Sequence, residues 1–142
     1  MIRIGKIAKS RSFGMSKYEA QVAAMLKKNR IEFVQEKTFH DLKKGILRYD
    51  FFIPNYKGKH ILLECDGPQH FSQVKHFQPT RKDFLRTQEN DRKKNAYCLA
   101  HNIPLYRIPF WDFSFIQNVE DLFQEKFRVT TKWWNDLLRI PT

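Results

Sequence analysis

Apolar positions recur at three- and four-residue spacing through Tyr18, Val22, Met25 and Leu26, which predicts an amphipathic helix reaching about Asn29. Ser16 with Glu19 three residues on is a capping-box pattern that would open it. Residues 31–35 then read as a short strand, and 43–45 as a turn. Residues 48–53 (Arg-Tyr-Asp-Phe-Phe-Ile) read as a second strand, stopped by Pro54-Asn55. Lys57-Gly58-Lys59 turns the chain into a third strand over 60–65, which Asp66-Gly67-Pro68 ends. Both of these strands are apolar on both faces, the pattern of strands covered on two sides. A long basic loop follows over 71–79. Thr80 with Asp83 caps a long helix to about Asn102, and residues 104–108 form a fourth strand. Residues 119–127 and 132–138 read as terminal helices.

The order α-β-β-β-α-β predicts an α/β fold, a small mixed β-sheet flanked by helices. Residues 1–15, basic and broken by Gly5 and Gly14, read as a flexible arm. Residues 16–142 read as a single domain, with its core in 16–108 and C-terminal helices over 119–138.

Charge sharpens this outline. Lys and Arg number 26 against 15 Asp and Glu, a formal net charge of +11. The positive charges are spread along the chain and not gathered on one amphipathic helix, so nucleic acid is the expected partner. Cys65 and Cys98 lie in apolar stretches and are too few for a disulfide scaffold. Free thiols fit a reducing compartment, and a cytoplasmic location is expected. No apolar run approaches the roughly 20 residues of a membrane span, and the first residues lack the apolar stretch of a signal peptide. No membrane partner is expected.

Within this basic chain, Asp50, Glu64 and Asp66 stand on or at the ends of apolar strands, where a carboxylate is costly without compensation. Alternation puts Leu62, Glu64 and Asp66 on one face, and the short turn lets Asp50 meet Glu64. Such an oxygen-rich group suits Mg²⁺, which can polarise a phosphate and lower the pKa of a bound water. His70, just past the strand end, is placed to move a proton. Singly, each residue has a plainer reading: an Asp paired with a buried Arg, an edge Glu, a strand-ending Asp-Gly turn, a surface His. Glu19 is explained by its capping box yet also borders its helix's apolar arc. Asp91 shares a helix side with Phe84 and Cys98 and needs a partner there, either Arg92 or Arg107 or a metal-bound water.

These residues together resemble a family. A helix carrying Glu19, Tyr49-Asp50-Phe51, Glu64-Cys65-Asp66-Gly67-Pro68-Gln69-His70, Asp91-Arg92-Lys93 and Tyr106-Arg107-Ile108 are similar to the PD-(D/E)xK nuclease superfamily. Within it they resemble the branch similar to very-short-patch-repair endonucleases, which includes homing-endonuclease catalytic domains described by an E-D-xH-D motif. The resemblance spans roughly residues 16–108 and implies a restriction-endonuclease-like core. It also implies a metal-dependent DNA endonuclease of homing or repair type, using Mg²⁺ with Mn²⁺ as a substitute. The implied catalytic set is Glu19, Asp50, Glu64, Asp66, His70 and Asp91. Asp50 would be the main metal ligand, with Glu64 or the Cys65 carbonyl as a second, and Glu19 and Asp91 would hold waters or orient His70. The chain departs from the superfamily where a lysine should follow the strand acid, because Asp66 stands there. That role then falls to His70, Gln69, Lys93 or Lys94, or is dispensable. Cys98 and His101 have ligand-like spacing, but no structural zinc is expected.

Double-stranded DNA is the expected substrate, held by Lys75, His76, Arg81, Lys82, Arg86, Lys93 and Lys94, with Arg3, Lys6, Lys9 and Arg11 as an arm along a groove. Phe71 and Phe77 either wedge between bases or anchor their loop, and Trp133 and Trp134 look like part of a packing helix. No separate recognition domain stands out, so specificity would come from a partner, a homodimer or a further domain. The alternatives are a non-catalytic nucleic-acid-binding module on the same fold and a nuclease for RNA or branched DNA.

Overall fold

The computed structural model describes residues 15–74 and 80–130. The predicted basic arm (except Met15), the loop residues Lys75, His76 and Phe77, and the 132–138 helix with Trp133 and Trp134 lie outside the described residues.

Helix α1 (Lys17–Lys28) begins as its sequence predicts. Ser16 Oγ accepts from the Glu19 N–H at 3.1 Å, and Glu19 Oε1 accepts from the Ser16 N–H at 3.1 Å. Its buried stripe is Glu19, Val22, Ala23 and Leu26. Strand β1 (Val34–Thr38) starts three residues later than expected. Ile31 and Phe33 are core anchors ahead of it: the Ile31 N–H donates to the Leu26 carbonyl, and Phe33 meets Phe51 edge-on at 5.5 Å. β1 is an edge strand of polar sequence, which fits a strand with one open side.

Strand β2 (Arg48–Tyr56) runs through Pro54 instead of stopping before it. The register with the next strand shifts between Ile53 and Tyr56, and a bulge is where a strand tolerates a residue without an N–H. Lys57 and Gly58 both have positive φ, 53° and 84°, as a tight two-residue hairpin turn demands. Strand β3 (Lys59–Asp66) pairs antiparallel with β2. Helix α2 (Arg81–Ala100) carries the chain across to β4 (Leu105–Pro109), which lies parallel to β3. The sheet is four-stranded and mixed, in the order β1-β2-β3-β4. The fold is α/β.

Residues 119–127 are not an α-helix. They form two short 3₁₀ turns, Val119–Phe123 and Glu125–Phe127, separated by an extended Gln124. Another turn, Phe110–Phe115, follows β4.

The sheet is covered on both faces. One face packs Phe51, Ile53, Leu63 and Ile108 with Val22 and Leu26 of α1. The other packs Tyr49, Leu62 and Leu105 with Cys98 of α2. The buried positions of α2 are Phe84, Asp91, Asn95 and Cys98, so half of its inward stripe is polar. Groups buried this way need partners inside the protein. No helix among the described residues is long and apolar enough to cross a membrane.

Candidate active site

The sheet comes apart locally at Asp50. Ladder pairs between β2 and β3 run from Tyr56↔Lys59 to Phe51↔Leu63, whereas β3 stays paired with β4 as far as Asp66↔Pro109. Where the next β2–β3 pairs would fall, a side chain substitutes: Asp50 Oδ2 accepts from the Cys65 N–H at 2.7 Å. Alternation breaks at the same place, since Tyr49 packs on the α2 face and Phe51 on the α1 face although they are two residues apart. Across the β1–β2 ladder, Glu36 lies between the pairs Gln35↔Phe51 and Lys37↔Tyr49 and has φ 57°. A left-handed Glu costs stability, and such a kink re-aims the side chains beside it.

Three carboxylates converge there. Glu19 from α1, Glu36 from β1 and Asp50 from β2 each present an oxygen within 4.8 Å of the other two. Glu19 is 8% exposed and serves its helix cap as well, so both readings of it hold geometrically. Burial, then the charges of Glu64 and Glu19, push the Asp50 carboxyl well above its usual range.

Glu64 is buried, and its Oε2 accepts from Lys94 Nζ at 2.9 Å. Burial alone would lower the Lys94 pKa, but the charges of Glu64 and Asp91 raise it, so Lys94 stays an ammonium. Of the four residues suggested for the missing strand lysine, Lys94 therefore has its cation against the strand acid. Lys94→Gln leaves Glu64 buried without it, and a loss of about 3 kcal/mol in urea unfolding is expected. The double variant Lys94→Gln/Glu64→Gln should recover most of that loss. A single variant as stable as the native chain would remove this ion pair from the account.

A second polar group lies between β3, β4 and α2. Arg107, 0% exposed, donates through Nη1 to both oxygens of Asp66 at 2.9 and 3.0 Å. Its Nη2 donates to Asp91 Oδ1 at 3.4 Å, and its Nε to Asn95 Oδ1 at 2.7 Å. Asp66 is thus held by Arg107 rather than by the Glu19–Glu36–Asp50 group. Asp91 takes Arg107 as the partner its helix position required, not Arg92, which pairs with Glu89 at 2.6 Å. A 3₁₀ turn, Pro68–His70, folds His70 back onto α2, where Nδ1 meets Asp91 Oδ2 at 2.8 Å. Burial would lower the His70 pKa, but Asp91 and Asp66 outweigh it and push it up to about 9. For Asp91, burial acts upward, and the charges of His70 and Arg107 overcome it, holding the carboxyl well below its usual range.

The basic candidates are less concentrated. Arg81, Lys82 and Arg86 are exposed on the first turns of α2, with Arg86 bound to Asp83 at 3.2 Å and Arg81 lying over the Phe84 ring. Lys93 is half-buried, and Lys94 is committed to Glu64. Phe71 is buried and packs on Trp111, with ring centroids 4.7 Å apart, so it anchors its loop. The Cys98 thiol donates to Tyr49 Oη at 3.4 Å, while His101 Nδ1 meets its own helix at the Tyr97 carbonyl.

Sequence reasoning missed Glu36 as a site residue, and nothing in Val-Gln-Glu-Lys-Thr marks it. Asn95 was also missed, although its helical spacing from Asp91 and Cys98 puts it on the inward stripe. No family model matches the chain, nor does any curated protein or solved structure.

Proposed function

We propose that this chain is a divalent-metal-dependent endonuclease that hydrolyses phosphodiester bonds of double-stranded DNA on a restriction-endonuclease-like core. The observation that carries the reading is the convergence of Glu19, Glu36 and Asp50 where β2 and β3 separate, in a chain of net charge +11. A protein that only bound a polyanion would gain nothing from gathering carboxylates against it. The sheet order, two antiparallel pairings followed by a parallel one, supports the core expected from the PD-(D/E)xK resemblance.

The donors fit a hard cation. All three are carboxylate oxygens, and a spread within 4.8 Å suits bonds of roughly 2.0–2.6 Å to a shared centre. Burial and then the charges of Glu64 and Glu19 raise the Asp50 pKa, and a bound cation would offset both. Asp50 would hold Mg²⁺ or Mn²⁺ with Glu36 and Glu19, and Glu64 or the Cys65 carbonyl would join from β3. The bound ion would supply charge stabilisation at the phosphate and a more acidic water.

The rest falls to the chain itself. The Cys65 N–H holds the Asp50 carboxylate in one orientation. Lys94, held at Glu64, is the cation placed to meet phosphate charge as it develops. His70, fixed by Asp91, moves a proton. Arg81, Lys82 and Arg86 are placed to hold DNA phosphates beyond the cut.

The alternative, a non-catalytic nucleic-acid-binding module, is favoured by the neutralisation of Glu64 by Lys94 and of Asp66 by Arg107. One assay separates the two. Supercoiled plasmid with Mg²⁺ or Mn²⁺ should be nicked or linearised, EDTA should stop the reaction, and His70→Ala should lower its rate by about 100-fold or more. Salt-sensitive DNA binding with no cleavage in either metal would favour the binding module.

A further inference from the structure

The group around Arg107 has more order than charge burial alone requires. One planar guanidinium holds three side chains from two elements: Asp66 of β3, and Asp91 and Asn95 of α2. Asn95 Nδ2 is buried with no hydrogen-bond partner among the described residues, so the amide is turned to give its oxygen to Arg107. The two carboxylates that Arg107 holds are the two that flank His70. Asp91 Oδ2 lies 2.8 Å from Nδ1, and Asp66 Oδ1 lies 3.7 Å from Nε2. One guanidinium balances only one of those carboxylates. Among the described residues, the other cation that acts on Asp91 is Lys94, and it is bound to Glu64. The balance closes when His70 carries the second positive charge.

We propose that Arg107 is a positioning residue: against the repulsion of its own charge, it fixes Asp66 and Asp91 on either side of the imidazole, and those two carboxylates hold His70 as an aimed cation and make it the proton donor of the cleavage step. The role rests on the nuclease reading; the state of the ring does not. Nδ1–H is committed to Asp91. Nε2–H lies 3.7 Å from Asp66 Oδ1, beyond hydrogen-bond distance, and has no hydrogen-bond acceptor among the described residues. Water oxygen forms the new P–O bond and releases its proton to solvent. The old P–O bond breaks with its electron pair on the departing oxygen, which takes the proton from His70 Nε2. The imidazole then recovers a proton from solvent.

The test is nitrogen-detected NMR of the His70 ring in the full chain, without metal or DNA, assigned with His70→Gln. Both ring nitrogens should be protonated at neutral pH, with loss of one proton only near pH 9, where Asp66, Asp91 and Arg107 together set the balance. Asp91→Asn should move that midpoint down by a unit or more. It should move the alkaline limb of plasmid cleavage down with it, because an acid works only below its pKa. Arg107→Lys keeps the charge but cannot span three partners. Cleavage should fall by about tenfold or more with DNA affinity unchanged, and the Nδ1–H signal should broaden. If Arg107→Lys does not fold, Asn95→Leu, which frees the guanidinium at Nε alone, should give the same broadening in weaker form. A singly protonated ring in the native chain at neutral pH, or an unmoved midpoint in Asp91→Asn, would overturn the proposal. A doubly protonated ring in a chain that cleaves nothing would keep the positioning and defeat the nuclease reading.

Discussion

Asp50→Asn is expected to slow metal-dependent cleavage steeply while making the metal-free protein more stable. The two effects share one cause. Asp50 is partly buried beside Glu64 and Glu19, and its carboxyl is pushed well above the usual carboxylate range. A carboxyl whose folded-state pKa is raised contributes stability that is complete below the unfolded pKa of about 3.9 and is lost as pH rises through the folded value. At neutral pH the carboxyl group therefore works against the fold. Asn removes that ionisable group yet still offers an oxygen to the Cys65 N–H, which sits 2.7 Å from Oδ2 in the native chain. A gain of about 1–2 kcal/mol is expected, or roughly 3–6 °C in melting temperature. The gain should shrink as pH falls and the native Asp50 takes up its own proton. Mg²⁺ or Mn²⁺ should raise the melting temperature of the native chain and leave the variant almost unmoved. Losing the main ligand should slow cleavage by about 1000-fold, equivalent to roughly 4 kcal/mol of barrier. A variant no more stable than the native chain at neutral pH, or one that kept its metal response, would remove Asp50 from the centre of the site.

Asp66→Ala should have the largest effect on stability. Its carboxylate accepts both short bonds from Arg107 Nη1, and neither side chain is exposed to water. Truncation leaves Arg107 with Asp91 at 3.4 Å and Asn95 as its partners. Removing one member of a buried pair typically costs about 3–5 kcal/mol, because the remaining charge cannot be rehydrated. Urea unfolding should report a loss of that size with little change in slope. The double variant Asp66→Leu/Arg107→Met should be more stable than Asp66→Ala, since an apolar pair replaces a stranded cation. A cost below about 1 kcal/mol for Asp66→Ala would mean that water reaches the guanidinium and that the group is not a rigid frame.

How much of this was legible beforehand follows from the range of the interactions. The capping boxes at Ser16 and Thr80 were readable because cap and helix lie three residues apart. The tight turn at Lys57-Gly58 was readable because a two-residue hairpin is set by its own backbone angles. Errors arose where distant packing overrode local pattern. Ile31 and Phe33 look like strand residues but are spent as core anchors, and Pro54 sits inside a strand because a bulge relieves it. The stretch 119–127 is two short turns whose Val119, Leu122 and Phe127 join the core cluster with Phe51 and Ile108.

The same division runs through the site. The sequence by itself determined which groups were available: Glu19, Asp50, Glu64, Asp66, His70 and Asp91 in an otherwise basic chain, on elements whose periodicity is local. Only the tertiary structure decided their partners. It brought Glu36 to Asp50 through a kinked edge strand, set Lys94 against Glu64 from 30 residues away, and made Arg107 the shared partner of Asp66 and Asp91. Those choices depend on strand register and on which face of α2 meets the sheet. Register and facing come from the packing of the whole domain, and a charged side chain in isolation carries no record of which opposite charge will be buried beside it.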